Sequence, residues 1–458
     1  SHEIRTPLNG VIGMADLLEL TKLESNAKSY VGAIRQSGEL LLDLITEILD
    51  YSRLEAGRVA LESAPFDPEG TMQDVAELLS TKAHAKGLEL AVSVRSGSPA
   101  RVIGDDGRIR QILFNLAGNA VKFTEEGGVL LELSPRPEGR LRFSVRDTGP
   151  GVPPEKQAMI FEEFTQADAG VARRHGGAGL GLAIVKRLAH AMGGEVGLSS
   201  HPGYGANFWV ELPLPPASDA PPPITLNGAR VCVVTPSSLL AQSTRATVAS
   251  LGGMPVSQDD RPDVILFDWR GEPGDEDILA LKRAARGVIA LVPQEERGAI
   301  ERCRAAGVVH YTLKPIRRRS LAERIKVALG EADAAAVEHL RQEERAPQTL
   351  QGLRVLLAED NPINALLART LLSRQGCIVV VVQDGEEAVA AASVGAYDLI
   401  LLDIRMPRLD GIAAAERIRA LGGRAGATPI VALTADAGDD ERARAFKAGM
   451  DDFITKPI

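Results

Sequence analysis

The chain has 458 residues, 45% of them hydrophobic, and a formal net charge of −9 at pH 7. This length predicts about three or four domains, and the acidic balance argues against broad attraction to nucleic acid or an anionic membrane, so we expect no nucleic-acid partner. No apolar run approaches the roughly 18 residues of a membrane span, and the three cysteines fit neither a disulfide framework nor a zinc site. These features favour a cytoplasmic location, and any upstream sensor or membrane segment is not in this chain.

Residues 1–62 predict two helices. The first has an apolar stripe at helical spacing and a polar side that carries His2, Thr6 and Asn9. An imidazole next to a carboxylate, here Glu3, can act as a nucleophile, although such a pair on a polar helix face is usually just solvated. The second helix has an apolar stripe that one partner helix would only half cover. We therefore expect two copies to form a four-helix bundle, and hence a homodimer.

Residues 63–215 alternate strand and helix patterns. A predicted helix over Asp105–Thr124 places Asn115, Asn119 and Lys122 at positions i, i+4 and i+7, on one face. Two amides and an ammonium group suit a magnesium–triphosphate group, because amide oxygens are hard ligands and lysine is a point charge. The alternative is the polar outer face of a core helix.

Two glycine-containing segments follow in this region. A strand pattern leads into Asp147-Thr148-Gly149-Pro150-Gly151, where a carboxylate could accept a hydrogen bond from an amine such as that of adenine. Phe161 and Phe164 precede a polar, glycine- and alanine-rich stretch, Thr165–His175, that is typical of a mobile lid. A second glycine cluster opens a helix, where backbone N–H groups can meet phosphate; its glycines are Gly177, Gly179 and Gly181.

The order of these motifs across residues 1–215 resembles the sensor histidine kinases. The resemblance implies a Bergerat-type α/β sandwich for residues 63–215, with Asp147 at adenine and Gly149 and Gly151 beside it. Asn119, joined by Asn115, would hold Mg²⁺, and Lys122 and the second glycine cluster would contact the phosphates of ATP. His2 would attack the γ-phosphorus with Glu3 as base, and Thr6 resembles the residue that orients a hydrolytic water in family members that are also phosphatases.

Residues 352–458 predict a doubly wound parallel sheet, whose ligand site lies at the carboxyl ends of its strands. Five polar residues fall at those ends, and they are Glu359, Asp360, Asp403, Thr434 and Lys456. Three converging carboxylates require a divalent cation and suit Mg²⁺. The set resembles a receiver domain, which implies Asp403 as phosphoacceptor, Glu359 and Asp360 as metal ligands with Asp403, and Thr434 and Lys456 as phosphoryl contacts. Phe453 stands where receivers carry a switching aromatic residue, and the final receiver helix is missing.

Residues 227–331 follow a Pro-rich linker at 216–226. They repeat the alternating strand and helix pattern of the receiver, but several of the residues at the strand ends differ. Thr235 and Pro236 replace the acidic pair and Val292 replaces the threonine, whereas Asp268 and Lys314 are kept. The separation from Thr235 to Asp268 is 33 residues, against 44 from Glu359 to Asp403, so one helix, the second, should be absent. Without the acidic pair there is no Mg²⁺ site. We expect a pseudo-receiver whose Asp268 is not phosphorylated and pairs with Lys314.

Three arginines, Arg317 to Arg319, fall in the first turn of a predicted helix, where cations oppose the helix dipole. Because placing cations at this end of a helix is energetically unfavourable, the arginines indicate an anion or an acidic surface nearby. With Tyr311 as a stacking face, the pattern resembles the ShkA-type hybrid kinases, in which cyclic di-GMP binds the pseudo-receiver and relieves autoinhibition. That resemblance implies a site made of Arg297, Tyr311, Pro315, Arg317 and Arg318. The alternatives are a solvated helix start or a docking patch for the acidic kinase domain.

Residues 332–351 form a charged connector in which Glu343, Glu344 and Arg345 could latch the pseudo-receiver in an inactive state. The chain is thus interpreted as a hybrid histidine kinase with four domains: a helical hairpin, a sandwich and two doubly wound receiver-like domains. It would phosphorylate His2 from Mg·ATP and pass the group to Asp403, for a downstream histidine phosphotransfer protein or response regulator. The alternatives are an ATP hydrolase with the same nucleotide fold and a non-catalytic scaffold that binds a nucleotide or second messenger.

Overall fold

The structure is a computed structural model that describes residues 2–455 apart from 20, 22, 56–60, 164, 166–178, 220–223, 271–273, 297, 333–335, 338, 341–349 and 435–438. It divides into two compact units, which are described separately. One contains Ser1–Ile45 and Arg345–Ile458, and the other contains Thr46–Glu344. None of the helices in the described part of the chain combines the length and the apolarity needed to cross a bilayer.

The two predicted N-terminal helices are α1 (His2–Glu19) and α2 (Ser25–Glu55). The two helices pack closely at Gly38 of α2, where an added Cβ atom would lie only 2.8 Å from Ile12 Cγ1 of α1. The Arg35 guanidinium lies 3.5 Å from the Glu19 carboxylate across the same hairpin. Of His2, Glu3 and Thr6 the structure describes the backbone alone, which is helical.

The domain at 63–215, here called the sandwich domain, has helices packed on a mixed sheet. Its helices are α3 (Pro68–Ala85), α4 (Asp106–Phe123), α5 (Pro154–Gln157) and α6 (Gly181–Ala191). Its strands are β1 (Ala64–Phe66), β2 (Glu89–Val94), β3 (Val102–Gly104), β4 (Gly128–Arg136), β5 (Arg140–Asp147), β6 (Glu195–Ser200) and β7 (Ala206–Pro213). The main sheet has the order β2-β4-β5-β7-β6, and buried side chains of α3, α4 and α6 form one core with it. The predicted α/β sandwich is confirmed.

The Pro-rich segment that follows is attached to this domain where it begins. Pro216 forms a bridge with Val102, and the Ala217 N–H donates to the Arg101 carbonyl at 2.9 Å. The extended linker that the composition predicts from residue 216 therefore starts as part of the sandwich domain.

The domain predicted at 227–331, for which the name pseudo-receiver is kept, has a receiver-like parallel sheet in the order β12-β11-β10-β8-β9. Its strands are β8 (Arg230–Val234), β9 (Met254–Val256), β10 (Val264–Asp268), β11 (Gly287–Pro293) and β12 (His310–Lys314). Its helices are α7 (Ser238–Ser250), α8 (Asp275–Ala284), α9 (Gly298–Ala305) and α10 (Arg318–Leu329). Between β9 and β10, where every residue is described, the chain makes only the 3-10 turn Gln258–Asp260. The predicted loss of the second helix is confirmed.

The receiver has a parallel sheet in the order β14-β13-β15-β16-β17, with an apolar core on each face. Its strands are β13 (Arg354–Ala358), β14 (Ile378–Val382), β15 (Leu399–Asp403), β16 (Ile430–Thr434) and β17 (Asp452–Thr455). Its helices are α11 (Pro362–Arg374), α12 (Gly385–Val394), α13 (Gly411–Ala420), α14 (Gly423–Ala427) and α15 (Asp439–Lys447). Helix α11 lies against α1, which belongs to the same compact unit.

Candidate functional sites

Helix α4 carries the predicted polar face and is fixed at both ends. The Asp105 carboxylate caps it by accepting from the Arg108 N–H at 2.9 Å, and the Thr124 hydroxyl donates to the Ala120 carbonyl at 2.7 Å. Asn115, Asn119 and Lys122 are all half-buried along this helix.

The second glycine cluster meets this face at the first residue of α6. A Cβ atom added at Gly181 would lie 3.0 Å from Asn115 Oδ1, so the first residue of α6 packs closely against this face of α4. Gly179 has φ +72°, a left-handed conformation that favours glycine, while Gly177 lies outside the described residues. The structure thus brings together the amide face and the start of α6, the two elements that the sequence assigns to a metal–triphosphate group.

Asp147 ends β5 in a buried position, with 8% of its surface exposed. Its Oδ1 accepts from the Gly149 N–H at 2.8 Å and from the Ala206 N–H at 3.2 Å. Burial raises the pKa of Asp147, and the two backbone hydrogen bonds oppose that rise. A buried carboxylate in such a position is suited to recognise a polar ligand edge, because desolvation makes each hydrogen bond specific.

The backbone around Asp147 admits only glycine at two positions. A Cβ atom at Gly205 would lie 2.0 Å from the Asp147 carbonyl oxygen, and one at Gly151 would lie 2.4 Å from that of His201. Sequence reasoning identified Gly151 but missed Gly205. It also missed Thr148, whose hydroxyl donates to the Glu126 carbonyl at 2.7 Å and accepts from the Gly128 N–H at 2.9 Å. Only its place inside the Asp-Thr-Gly motif could have indicated this role.

The receiver carboxylates converge as predicted. Glu359, Asp360 and Asp403 each place one oxygen within 4.8 Å of the others. Glu359 and Asp403 are 1% and 5% exposed, and Asp360 is open to solvent. Mutual repulsion makes three such groups costly without a cation, and their hard oxygen donors fit Mg²⁺. Thr434 is buried at the end of the neighbouring strand β16, whereas Lys456 lies outside the described residues.

Further contacts hold this cluster in place. The Asn364 side-chain amide, which sequence reasoning missed, donates to Glu359 Oε1 at 2.9 Å. The Asp403 Oδ1 accepts from the Arg405 N–H at 3.1 Å, and Gly411 lets the following loop approach the Asp403 carbonyl. Phe453, the predicted switching aromatic, is half-buried on β17 under the Arg442 guanidinium, 4.0 Å from its ring centroid.

The matching position in the pseudo-receiver holds an ion pair. Lys314 Nζ lies 2.9 Å from Asp268 Oδ1, which confirms the predicted pairing. The Thr235 hydroxyl, which stands where the receiver has an acidic residue, donates to Asp268 Oδ2 at 2.9 Å. Both acceptor oxygens of Asp268 therefore have partners within the domain.

The basic start of α10 contacts the sandwich domain, which lies in the same compact unit. The Arg317 guanidinium donates twice to the Glu77 carboxylate of α3, both times at 2.7 Å. Arg318 lies 3.4 Å from Glu69 on the same helix, and the Gln73 amide donates to the Pro315 carbonyl at 2.7 Å. Of the predicted alternatives, a docking patch for the acidic kinase domain is confirmed.

The prediction that the ring of Tyr311 is available to stack on a ligand is wrong for this conformation. The residue is 5% exposed on β12, and the guanidinium groups of Arg324 and Arg304 lie 4.9 Å and 5.8 Å from its ring centroid. Tyr311 lies on the face of β12 that packs into the core, and the sequence alone does not show which face of this strand is covered. Arg297 and the proposed latch residues Glu343, Glu344 and Arg345 lie outside the described residues.

Three family matches follow this architecture. Residues 1–57 match the His Kinase A (phospho-acceptor) domain, and residues 104–216 match the histidine kinase-, DNA gyrase B- and HSP90-like ATPase family. Residues 355–458 match the response regulator receiver domain.

Full-length similarity points the same way. Sensor protein GacS of Pseudomonas syringae pv. syringae is 37% identical over 488 residues, covering 100% of this chain and 53% of the relative. The signal transduction histidine-protein kinase BarA of Escherichia coli K12 is 35% identical, with 100% and 51% covered, so the chain spans about half the length of these relatives. The crystal structure of full-length ShkA in complex with AMPPNP is 46% identical with a TM-score of 0.62, covering 100% of this chain and 95% of that one. This chain belongs to the hybrid histidine kinase family.

Proposed function

We propose that this chain phosphorylates His2 from Mg·ATP and then transfers the phosphoryl group to Asp403, for onward relay to a histidine phosphotransfer protein or a response regulator. The observation that carries the proposal is the Mg²⁺-compatible carboxylate cluster around Asp403, in the same compact unit as the helix that bears His2.

In the first step an imidazole nitrogen of His2 forms a bond to the γ-phosphorus while the bond to the β,γ-bridging oxygen breaks and ADP leaves. Glu3 accepts the ring proton, as a positioned general base does. Asn115, Asn119, Lys122 and the glycines of the second cluster would hold the metal–triphosphate group, with Asp147 at the adenine. In the second step a carboxylate oxygen of Asp403 attacks the phosphorus and the imidazole leaves, with Thr434 and Lys456 at the phosphoryl oxygens. Bound Mg²⁺ supplies charge neutralisation for this transfer.

Labelling with γ-³²P-ATP tests the pathway. The Asp403→Asn variant should accumulate acid-labile, alkali-stable label, as phosphohistidine does, and the wild type should also carry alkali-labile acyl phosphate. His2→Ala should abolish both, whereas His190→Ala, which removes an exposed histidine of α6, should change neither. Release of labelled phosphate without protein labelling would instead indicate an ATP hydrolase, and nucleotide binding without turnover would indicate a scaffold.

The proposal includes a homodimer formed through the helical hairpin, as the His Kinase A family match indicates. In a single chain the side chains of Val11 and Ile34 are 48% and 50% exposed, and further apolar residues of both helices are similarly open. A second copy would cover them. Sedimentation equilibrium should give twice the chain mass, and replacing Ile34 with Glu should give monomers.

A finer part of the proposal is that cyclic di-GMP binds the pseudo-receiver through Arg297, Pro315, Arg317 and Arg318, without the buried ring of Tyr311. Phosphate and carboxylate oxygens fit the same guanidinium fork. Such a ligand would therefore compete with Glu77 for Arg317 and with Glu69 for Arg318, and its binding would loosen the pseudo-receiver from α3.

Isothermal titration with cyclic di-GMP tests this part. Arg317→Ala should remove the binding heat, whereas Arg319→Ala, in the same turn but paired with Glu323 of its own helix, should keep it. Glu77→Gln should bind more tightly than the wild type, because it removes the competing carboxylate. An absence of heat with the wild type would overturn this part and leave the kinase proposal intact.

A further inference from the structure

Four charged side chains meet where the pseudo-receiver contacts the sandwich domain. Glu89, the first residue of β2, lies with its Oε2 2.9 Å from an Arg270 guanidinium nitrogen and 3.5 Å from Lys314 Nζ. Lys314 also holds Asp268 at 2.9 Å. Two anions and two cations therefore share one site, and their formal charges cancel.

This site is buried between the two domains. Glu89 is 3% exposed, the side chains of Lys314 and Asp268 are 6% and 0% exposed, and Arg270 closes the rim at 35%. Taking ions out of water is costly unless each has an opposite partner at close range. Burial raises the pKa of Glu89, and Lys314 and Arg270 oppose the rise, so the two cations favour its charged form.

The position of Glu89 relative to the altered acceptor site is the informative feature. Lys314 faces Asp268 from within its own domain and receives a second carboxylate from outside it. In the receiver resemblance, the equivalent lysine contacts a phosphoryl group carried by the acceptor aspartate. In this pseudo-receiver, Glu89 supplies an anion to the lysine without any phosphorylation.

We propose that the degenerate acceptor site of the pseudo-receiver is a docking socket for the Glu89 carboxylate of the sandwich domain. Lys314 and Arg270 are its recognition residues, and Asp268 with Thr235 positions Lys314. The partner of this surface is thus a carboxylate of the same polypeptide. The socket explains why a domain with Thr235 and Pro236 in place of the acidic pair keeps its lysine and its aspartate.

Single-molecule energy transfer in the full chain tests the socket. Dyes on cysteines introduced at Tyr204 and Leu279, which are 88% and 50% exposed, would report the separation of the two domains, and the three native cysteines are buried. Glu89→Gln and Lys314→Met should each raise the ratio of undocked to docked molecules at least tenfold, because each removes a buried charge pair that joins the two domains. Glu125→Gln, at an exposed carboxylate of the same domain, should leave the ratio unchanged.

A double-mutant cycle separates recognition from general destabilisation. Arg270→Ala combined with Glu89→Gln should undock little more than Glu89→Gln alone, since both remove the same contact. Asp268→Asn should not undock the domains, because Lys314 then has Glu89 as its one charged partner. An unchanged ratio in Glu89→Gln, or undocking by Asp268→Asn as large as that by Glu89→Gln, would overturn the proposal. Thermal unfolding of each variant shows whether it folds.

Discussion

The contact between Arg317 and Glu77 offers the sharpest quantitative test of domain docking. Two hydrogen bonds of 2.7 Å join the groups in bidentate geometry, and their side chains are 44% and 27% exposed. Unit charges about 4 Å apart attract by about 4 kcal/mol at an effective dielectric of 20 and by about 1 kcal/mol in bulk water. The exposure places this pair near the aqueous value. Measured exposed pairs give about 0.2–1 kcal/mol, and the bidentate geometry favours the upper end.

We therefore expect a coupling free energy of about 1 kcal/mol between Arg317 and Glu77, or about fivefold in the docking equilibrium. The assay is a double-mutant cycle of Arg317→Ala and Glu77→Ala, read by energy transfer between the two domains. Asp74, which lies 3.6 Å from Arg317, keeps part of the attraction in Glu77→Ala, so the single variants should differ. Arg319→Ala is the matched control. Additive effects of the two substitutions, with coupling within about 0.3 kcal/mol of zero, would refute the reasoning.

Three further predictions concern the two candidate sites. Gly205→Ala should destabilise the sandwich domain by at least about 3 kcal/mol in denaturant unfolding, because its Cβ meets a carbonyl, whereas Gly203→Ala, with a similar φ but open space, should cost about 1 kcal/mol. Affinity for an ATP analogue, measured by calorimetry, should fall as the pH drops towards the raised pKa of Asp147. The contribution of Asp147 to folding stability should instead be lost as the pH rises through that pKa. Calorimetry and unfolding measurements that follow the same pH trend would contradict this prediction. Glu359→Gln should weaken Mg²⁺ binding at least tenfold, measured by the Mg²⁺-induced rise in receiver melting temperature, and the exposed Glu416→Gln should not.

Much of the architecture was predictable because its signals are local. Helix α4 was predicted within one residue at each end, since its apolar period is regular and Asp105 and Thr124 cap it. The missing helix of the pseudo-receiver followed from a count of residues between two matching strand ends. The ends of parallel strands lie at one edge of a sheet, which is why the carboxylates around Asp403 could be placed together from spacing alone.

The unpredicted features depend on contacts between distant residues. Glu89 is an ordinary acidic residue at the start of a strand, and its partner Lys314 is 225 positions away. The arginines at the start of α10 oppose the helix dipole, so the sequence indicates that an anion lies nearby. It does not indicate which anion this is. Tyr311 was misjudged because a strand pattern does not say which face is covered. Close approaches such as that of Gly205 to Asp147 arise only once the loops are folded.

Docking also has a consequence for the outermost strand of the sandwich sheet. In the described sheet, β2 lies at one end of the strand order, yet all six of its residues are buried and α7 of the pseudo-receiver lies against it. Departure of the pseudo-receiver would uncover a row of backbone N–H and C=O groups able to pair with another extended chain. Any signal that separates the two domains would thus also expose an unpaired edge strand. The released form should aggregate more readily than the closed one, and a short exposure of this edge would favour a fast return to docking.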